Sequence, residues 1–181
     1  MKSLFCLAAA FGLVGLLVAG CTTTPDTEQG KSNLSDDANT ALSRMEQQDP
    51  SLNDFIKRAY GYAIFPSVGK GAIGVGGAYG KGIVVENGKM VGYADLSQAT
   101  IGVQLGGQTY SELICFETNQ ALDTFKSNNY AFDAQASAVA VKSGASTDAR
   151  YSNGVAIFTL PQGGLMFEAS VGGQRFTYEA K

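Results

Sequence analysis

The sequence predicts an α+β fold: a dominant curved antiparallel β-sheet or barrel-like sheet, two N-terminal amphipathic helices and one further short helix. Three observations carry this. Apolar residues recur at helical spacing only before residue 60 and around residues 118–127, and most of the remainder alternates with period two. Glycine is frequent, at 23 of 181 residues, and the aromatic residues are Tyr and Phe without Trp, a pairing suited to sheets with close backbone approach. Compact turn signals, Asn87-Gly88 above all, separate runs of β-formers.

The helices come first. In SDDANTALSRMEQQ, Ser35 is placed to cap, acids fill the first turn, and Ala38, Ala41, Leu42 and Met45 share a face. DPSLNDFIKRAY restarts with Asp49 as cap and Pro50 in the first turn, with Leu52, Phe55, Ile56 and Ala59 on one side and Gly61 able to end it. The third helix, TNQALDTFKSN, is capped by Thr118 and turns Ala121, Leu122 and Phe125 inward. Between and after these lie YAIFP, GIVVENGKMVGYADL, TIGVQLGG, TYSELICF, GVAIFTL, GLMFEASVGG and RFTYEA, about eight short strands once the Asn87-Gly88 hairpin is split.

The stretch SVGKGAIGVGGAYGKGIVV contains a literal GxGxxG at Gly69, Gly71 and Gly74. A dinucleotide fingerprint needs a helix directly afterwards, and the following VGGAYGKG holds four glycines in eight residues, each unfavourable in a helix by about 1 kcal/mol. The stretch reads instead as a strand with one bare face, Ala72, Gly74, Gly76, Ala78, Gly80 and Gly82, and an opposite face carrying Ile73, Val75, Tyr79 and Ile83. Either a helix or strand of the same chain lies on the bare face, or the face is a groove for something slender such as an acyl chain.

Residues 1–20 form a secretory leader in outline: Lys2, then an apolar stretch. A membrane-spanning anchor is the alternative, but the run is short, rich in Ala and Gly, and lacks a basic flank. Its end, LVAGC, resembles the bacterial lipobox. That resemblance implies a diacylglycerol thioether on Cys21 and a lipid-anchored mature protein in the cell envelope. Thr22 is not the aspartate that retains many lipoproteins at the inner membrane, which favours the outer membrane, facing the periplasm. Residues 21–34 then comprise the acylated cysteine and a flexible tether, and a coil of 13 residues spans roughly 20 Å. Residues 35–181 form the folded domain. Cys115, in SELICFET, reads as a small core residue.

RAYGYAIFPSVGKGAIGVGGAYGKGIVV is similar to the opening signature of SYLF domains, and AFDAQASAVAV and GGLMFEASVGG resemble later blocks of that family. The resemblance covers roughly residues 40–181. Residues 142–150 read KSGASTDAR, without the Gly-Pro-Val-Gly turn of many relatives. The family resemblance implies lipid binding, with phosphoinositide and actin binding in eukaryotic members, and hence affinity for anionic headgroups through a basic amphipathic helix beside the AIFP strand. Here that helix carries Phe55, Ile56, Lys57, Arg58 and Ala59.

Charge points the same way. The chain is acidic overall, with formal net charge −3, yet residues 57–89 set Lys57, Arg58, Lys70, Lys81 and Lys89 against Glu86 alone. These five are the headgroup candidates, and an ordinary solvated surface is the competing reading. With no His, the usual general base and commonest metal ligand are missing. No catalytic residue, metal site or cofactor is expected, and neither acidity nor location suits nucleic acid. Two functions remain: a phospholipid-contacting lipoprotein, or a non-catalytic structural or interaction lipoprotein or surface antigen meeting a protein partner in the envelope.

Overall fold

The computed structural model describes residues 23–181 apart from 129, 134, 135 and 165–170, and leaves the side chains of 72–75, 100–106 and 164 undescribed. The leader, Cys21 and the central part of GLMFEASVGG lie outside the described residues. Three helices, α1 (Glu28–Gln48), α2 (Ser51–Arg58) and α3 (Asn119–Lys126), accompany five strands: β1 (Gly61–Glu86), β2 (Lys89–Phe116), β3 (Val139–Ala140), β4 (Val155–Gly164) and β5 (Arg175–Ala180).

The α+β class holds, and the sheet is curved but open, not a barrel. Its order is β1-β2-β4-β3, with β5 also on β2. All pairs are antiparallel except the short β3–β4 pair. Among the described residues the expected short strands merge because the glycine-rich run carries no turn. YAIFP, the bare-faced stretch and GIVVE are one strand of 26 residues, and its partner is one strand of 28. Asn87 and Gly88 join them at φ 49° and 76°, the positive pair a tight primed turn needs.

So long a two-stranded ribbon cannot lie flat on a small domain, and it doubles back. In the proximal layer, residues 61–73 of β1 and 105–116 of β2, β2 also pairs with β4 along residues 108–116; in the distal layer, residues 75–86 and 89–101, β2 also pairs with β5 along residues 92–97. Ala63, Phe65, Tyr110, Ile114 and Phe116 from the first layer meet Ala78, Val84, Ala94, Leu96 and Phe176 from the second in one core. Phe176 is its hub, with ring centroids 5.8 Å from Phe65, 5.2 Å from Phe125 and 4.9 Å from Phe132.

A second core forms where Ala38, Ala41 and Met45 of α1 and Leu52 and Phe55 of α2 cover Ile64, Ile83, Val85, Tyr93, Leu113 and Phe158. Cys115 is free and fully buried there, and burial pushes its thiol pKa up. The cap of helix α1, Thr27, lies eight residues before the expected cap at Ser35. Thr27 accepts a hydrogen bond from Gly30 N, and Lys31 Nζ lies 2.7 Å from Glu28 Oε1. The expected tether is thus helical from Glu28 onward. Helix α3 matches expectation, with Thr118 accepting from Ala121 N and Leu122 and Phe125 buried.

Asp49 is the C-cap of α1, and Pro50, not Asp49, stands at the N-cap of α2; yet Asp49 does more than cap. Buried to 1% exposure between α1 and α2, its carboxylate accepts from Ser51 N and Oγ, Gly144 N, and Ser146 N and Oγ at 2.6–3.2 Å. Burial alone would raise its pKa, but the hydrogen bonds from Ser51, Ser146 and Gly144 outweigh it and hold the group at about 2. KSGASTDAR, the segment lacking the usual family turn, is thereby clamped to the helical pair.

Candidate functional site

The bare glycine face is turned inward. A Cβ on Gly82 would lie 2.5 Å from Ile64 O and 2.7 Å from the Phe65 ring, and one on Gly80 would lie 2.9 Å from Val68 Cγ2. One on Gly61 would meet Val85 O at 2.6 Å. These three contacts place β1 antiparallel against itself, folded about a point near residues 73–74. What covers Gly80 and Gly82 is the chain's own proximal half, and Gly76 and Ala78 are buried, so these positions are no groove for an acyl chain. The surroundings of Ala72 and Gly74 lie outside the described residues.

The same inward face carries Lys70. It is 4% exposed, within the core, and therefore not a surface headgroup group. Its position has a readable cause: Lys70 shares parity with Ala78, Gly80 and Gly82, so a strand that buries them buries it too. Around it the interior is polar. Glu112 and Gln174 are fully buried, and Tyr110 and Gln108 lie on the same strand face as Glu112. Gln174 Nε2 donates to Glu112 Oε2 at 2.9 Å and to Tyr110 Oη at 3.2 Å. Burial raises the Glu112 pKa to about 8, against the lowering effects of the Gln174 hydrogen bond and the Lys70 charge. Sequence reasoning missed this cluster, although a Glu at an inward position of an apolar strand was its signal.

The remaining basic residues do not form one patch. Lys57 and Arg58 are exposed in the last turn of α2, with the Arg58 guanidinium 5.7 Å from the Phe55 ring centroid. Lys89 is exposed beside the hairpin turn. Lys81 faces outward but is engaged: Nζ donates to Thr23 O at 3.2 Å and lies 3.5 Å from Asp95 Oδ1. Burial raises the Asp95 pKa, while Lys81, Thr23 and Tyr79 act to lower it.

Among the described residues no three or more Cys, Asp or Glu side chains gather as a metal site, and no helix is long and apolar enough to cross a membrane. A cleft of about 620 Å³ opens under the segment between α3 and β4, with Phe132, Val155 and Ile157 in its floor and Asp133 and Arg150 among its lining residues.

Residues 97–181 match the family model Ysc84, described as "Las17-binding protein actin regulator". A curated relative, "Beta cell expansion factor A" of Aeromonas veronii, is 30% identical over 141 residues, covering 77% of this chain and 53% of that protein. The chain thus spans about half the length of the relative. The glycine-rich block that first suggested SYLF lies N-terminal to the family match, which rests on the second half of the sheet.

Proposed function

The chain carries a Ysc84 (SYLF) domain over residues 97–181, and from that premise we propose a non-catalytic, lipid-anchored envelope protein whose domain contacts anionic phospholipid. The anchor is acylated Cys21, and the destination is the periplasmic side of the outer membrane. The observation carrying the headgroup contact is the end of α2. Leu52 and Phe55 are consumed by the core, so the helix cannot insert, while Lys57 and Arg58 are held outward on a support fixed at both ends. Such a pair meets phosphates electrostatically, at about 1 kcal/mol per basic residue near an anionic surface.

The test uses the full chain with Cys21→Ser, which removes the acylation site. It is sedimented with phosphatidylcholine vesicles with and without phosphatidylglycerol. Lys57→Glu with Arg58→Glu is expected to weaken anionic binding about 30-fold or more, the equivalent of about 2 kcal/mol, and added salt to mimic the loss. Binding indifferent to both changes would sink the mechanism.

A second reading, an envelope module that binds a protein, draws on the family's description as a Las17-binding actin regulator. The cleft beside Phe132 and Arg150 is where a partner segment would fit. Crosslinking in intact cells that traps one stoichiometric partner, with no vesicle binding by the Cys21→Ser chain, would favour this reading.

A further inference from the structure

The outer face of the distal layer is covered row by row. Paired strand residues share a face, so the ladders define rows: Ile83–Tyr93–Glu179, Lys81–Asp95–Thr177, Tyr79–Ser97–Arg175, then Gly77–Ala99. In the first row, Ile83 and Tyr93 are buried beneath α1. The chain entering α1 crosses at the second row. Thr23 O accepts from Lys81, Thr23 Oγ1 lies 3.1 Å from Thr177 Oγ1, and Thr24 N donates to Glu179 Oε2 at 3.2 Å. The third row is open. Tyr79 is 46% exposed, the one large hydrophobic residue exposed among those described, and Ser97, Ala99 and Arg175 are exposed with it.

Thr23 is two residues from Cys21. Two extended residues reach about 7 Å, and adjacent rows on a strand are also about 7 Å apart. The Tyr79 row is therefore within reach of an acyl anchor on Cys21. The hydrogen bonds on Thr23 and Thr24 hold the chain entering α1 against the second row.

We propose that the open row, with Tyr79 at its centre and Ser97, Ala99 and Arg175 around it, is a second surface, besides the end of α2, that rests on the lipid bilayer. This rests on the reading that Cys21 anchors the chain. The side chains suit the place. The Tyr79 hydroxyl bonds to Asp95, leaving the ring to the headgroup boundary where Tyr is favoured. Arg175 supplies a planar fork for phosphate. The contact is interfacial: the row's other residues are small, and nothing on it penetrates far.

The acylated full-length protein, reconstituted in vesicles bearing a headgroup-nitroxide lipid, tests this. One fluorophore is attached at Ser97→Cys, or in a second sample at Ser143→Cys, in the exposed turn held against Asp49 between α1 and α2; buried Cys115 stays unlabelled. The Ser97 label is expected to be quenched several-fold more than the Ser143 label, and Tyr79→Ala with Arg175→Glu to reduce that quenching while the protein stays vesicle-bound. Equal quenching, stronger quenching at Ser143, or none at either position overturns the proposal, the last also being the result if a protein partner or a second copy covers the row. Failure to co-sediment at all overturns the anchoring reading itself, a separate outcome.

Discussion

The tripeptide Gly-Lys-Gly occurs twice in β1, at residues 69–71 and 80–82, and the two copies face opposite ways. In the first, the glycines are exposed, with nothing within 4 Å of a Cβ built on either, and Lys70 is buried beside Glu112. In the second, the glycines are buried against Ile64–Val68, and Lys81 points out to Asp95 and Thr23. The copies are offset by an odd number of residues, and a strand's side chains alternate with period two. Composition therefore says nothing about role here; parity assigns it. The first copy contributes a cation to the interior, and the second provides the bare surface on which the ribbon folds back.

The sharpest way to break the comparison is to add the same side chain to both copies. Gly82→Val pushes a branched side chain into the Ile64 carbonyl, and a loss of about 3 kcal/mol is expected in urea denaturation. Gly71→Val, on the open face, should shift stability by no more than about 0.5 kcal/mol. Equal losses would refute the folded-back ribbon.

Lysine truncation should give a smaller but parallel contrast. Lys70→Ala empties buried space and leaves Glu112 without its neighbouring charge, with an expected loss of about 2 kcal/mol. Lys81→Ala removes a part-exposed pair and should lose about 0.5 kcal/mol.

A further contrast lies in the pH profile. Glu112, faced by Lys70 from β1, Tyr110 from β2 and Gln174 ahead of β5, has its folded pKa raised to about 8 from 4.5. Its proton is held more tightly in the folded state, so this stability is fully present below pH 4.5 and drains away as pH rises through about 8. Asp49 acts in reverse: lowered from 3.8 to about 2, it contributes stability above pH 3.8 that is lost as pH falls through about 2. Melting temperature should therefore fall from weakly acid toward alkaline pH, and Glu112→Gln should flatten that limb while leaving the acid limb intact. An unchanged alkaline limb in Glu112→Gln would exclude a raised pKa at this site.

Much of the fold was legible. Local chemistry marked the Asn87-Gly88 turn, the Thr118 cap and the alternation of β1, because each acts within a few residues. The merging of short strands into two long ones was not legible, since a bend that preserves the ladder uses no turn residue. The early start of α1 was hidden because residues 28–33 carry no apolar stripe; the Thr27 cap and the Glu28–Lys31 pair extend a helix whose packed part lies later. The Asp49 clamp joins positions nearly a hundred residues apart, beyond any spacing rule. Lys70 differs from these. Its parity with the glycine face was in the sequence, and only the grouping of all nearby bases as one surface obscured it.

The doubled ribbon also bears on how the chain reaches its folded state. From the turn at Asn87-Gly88 the ladder can close pair by pair, Glu86 with Lys89 and on to Gly61 with Phe116, each step enlarging a loop that is already shut. Folding the closed ribbon over on itself then needs no distant segment, only its own glycines. β5 must return across most of the C-terminal half to pair with residues 92–97, and α1 must arrive from the other end. Loop-closure entropy thus favours a nucleus built from near neighbours and a later closure by the two termini, and the part expected to close late contains the row at Thr23 and Arg175.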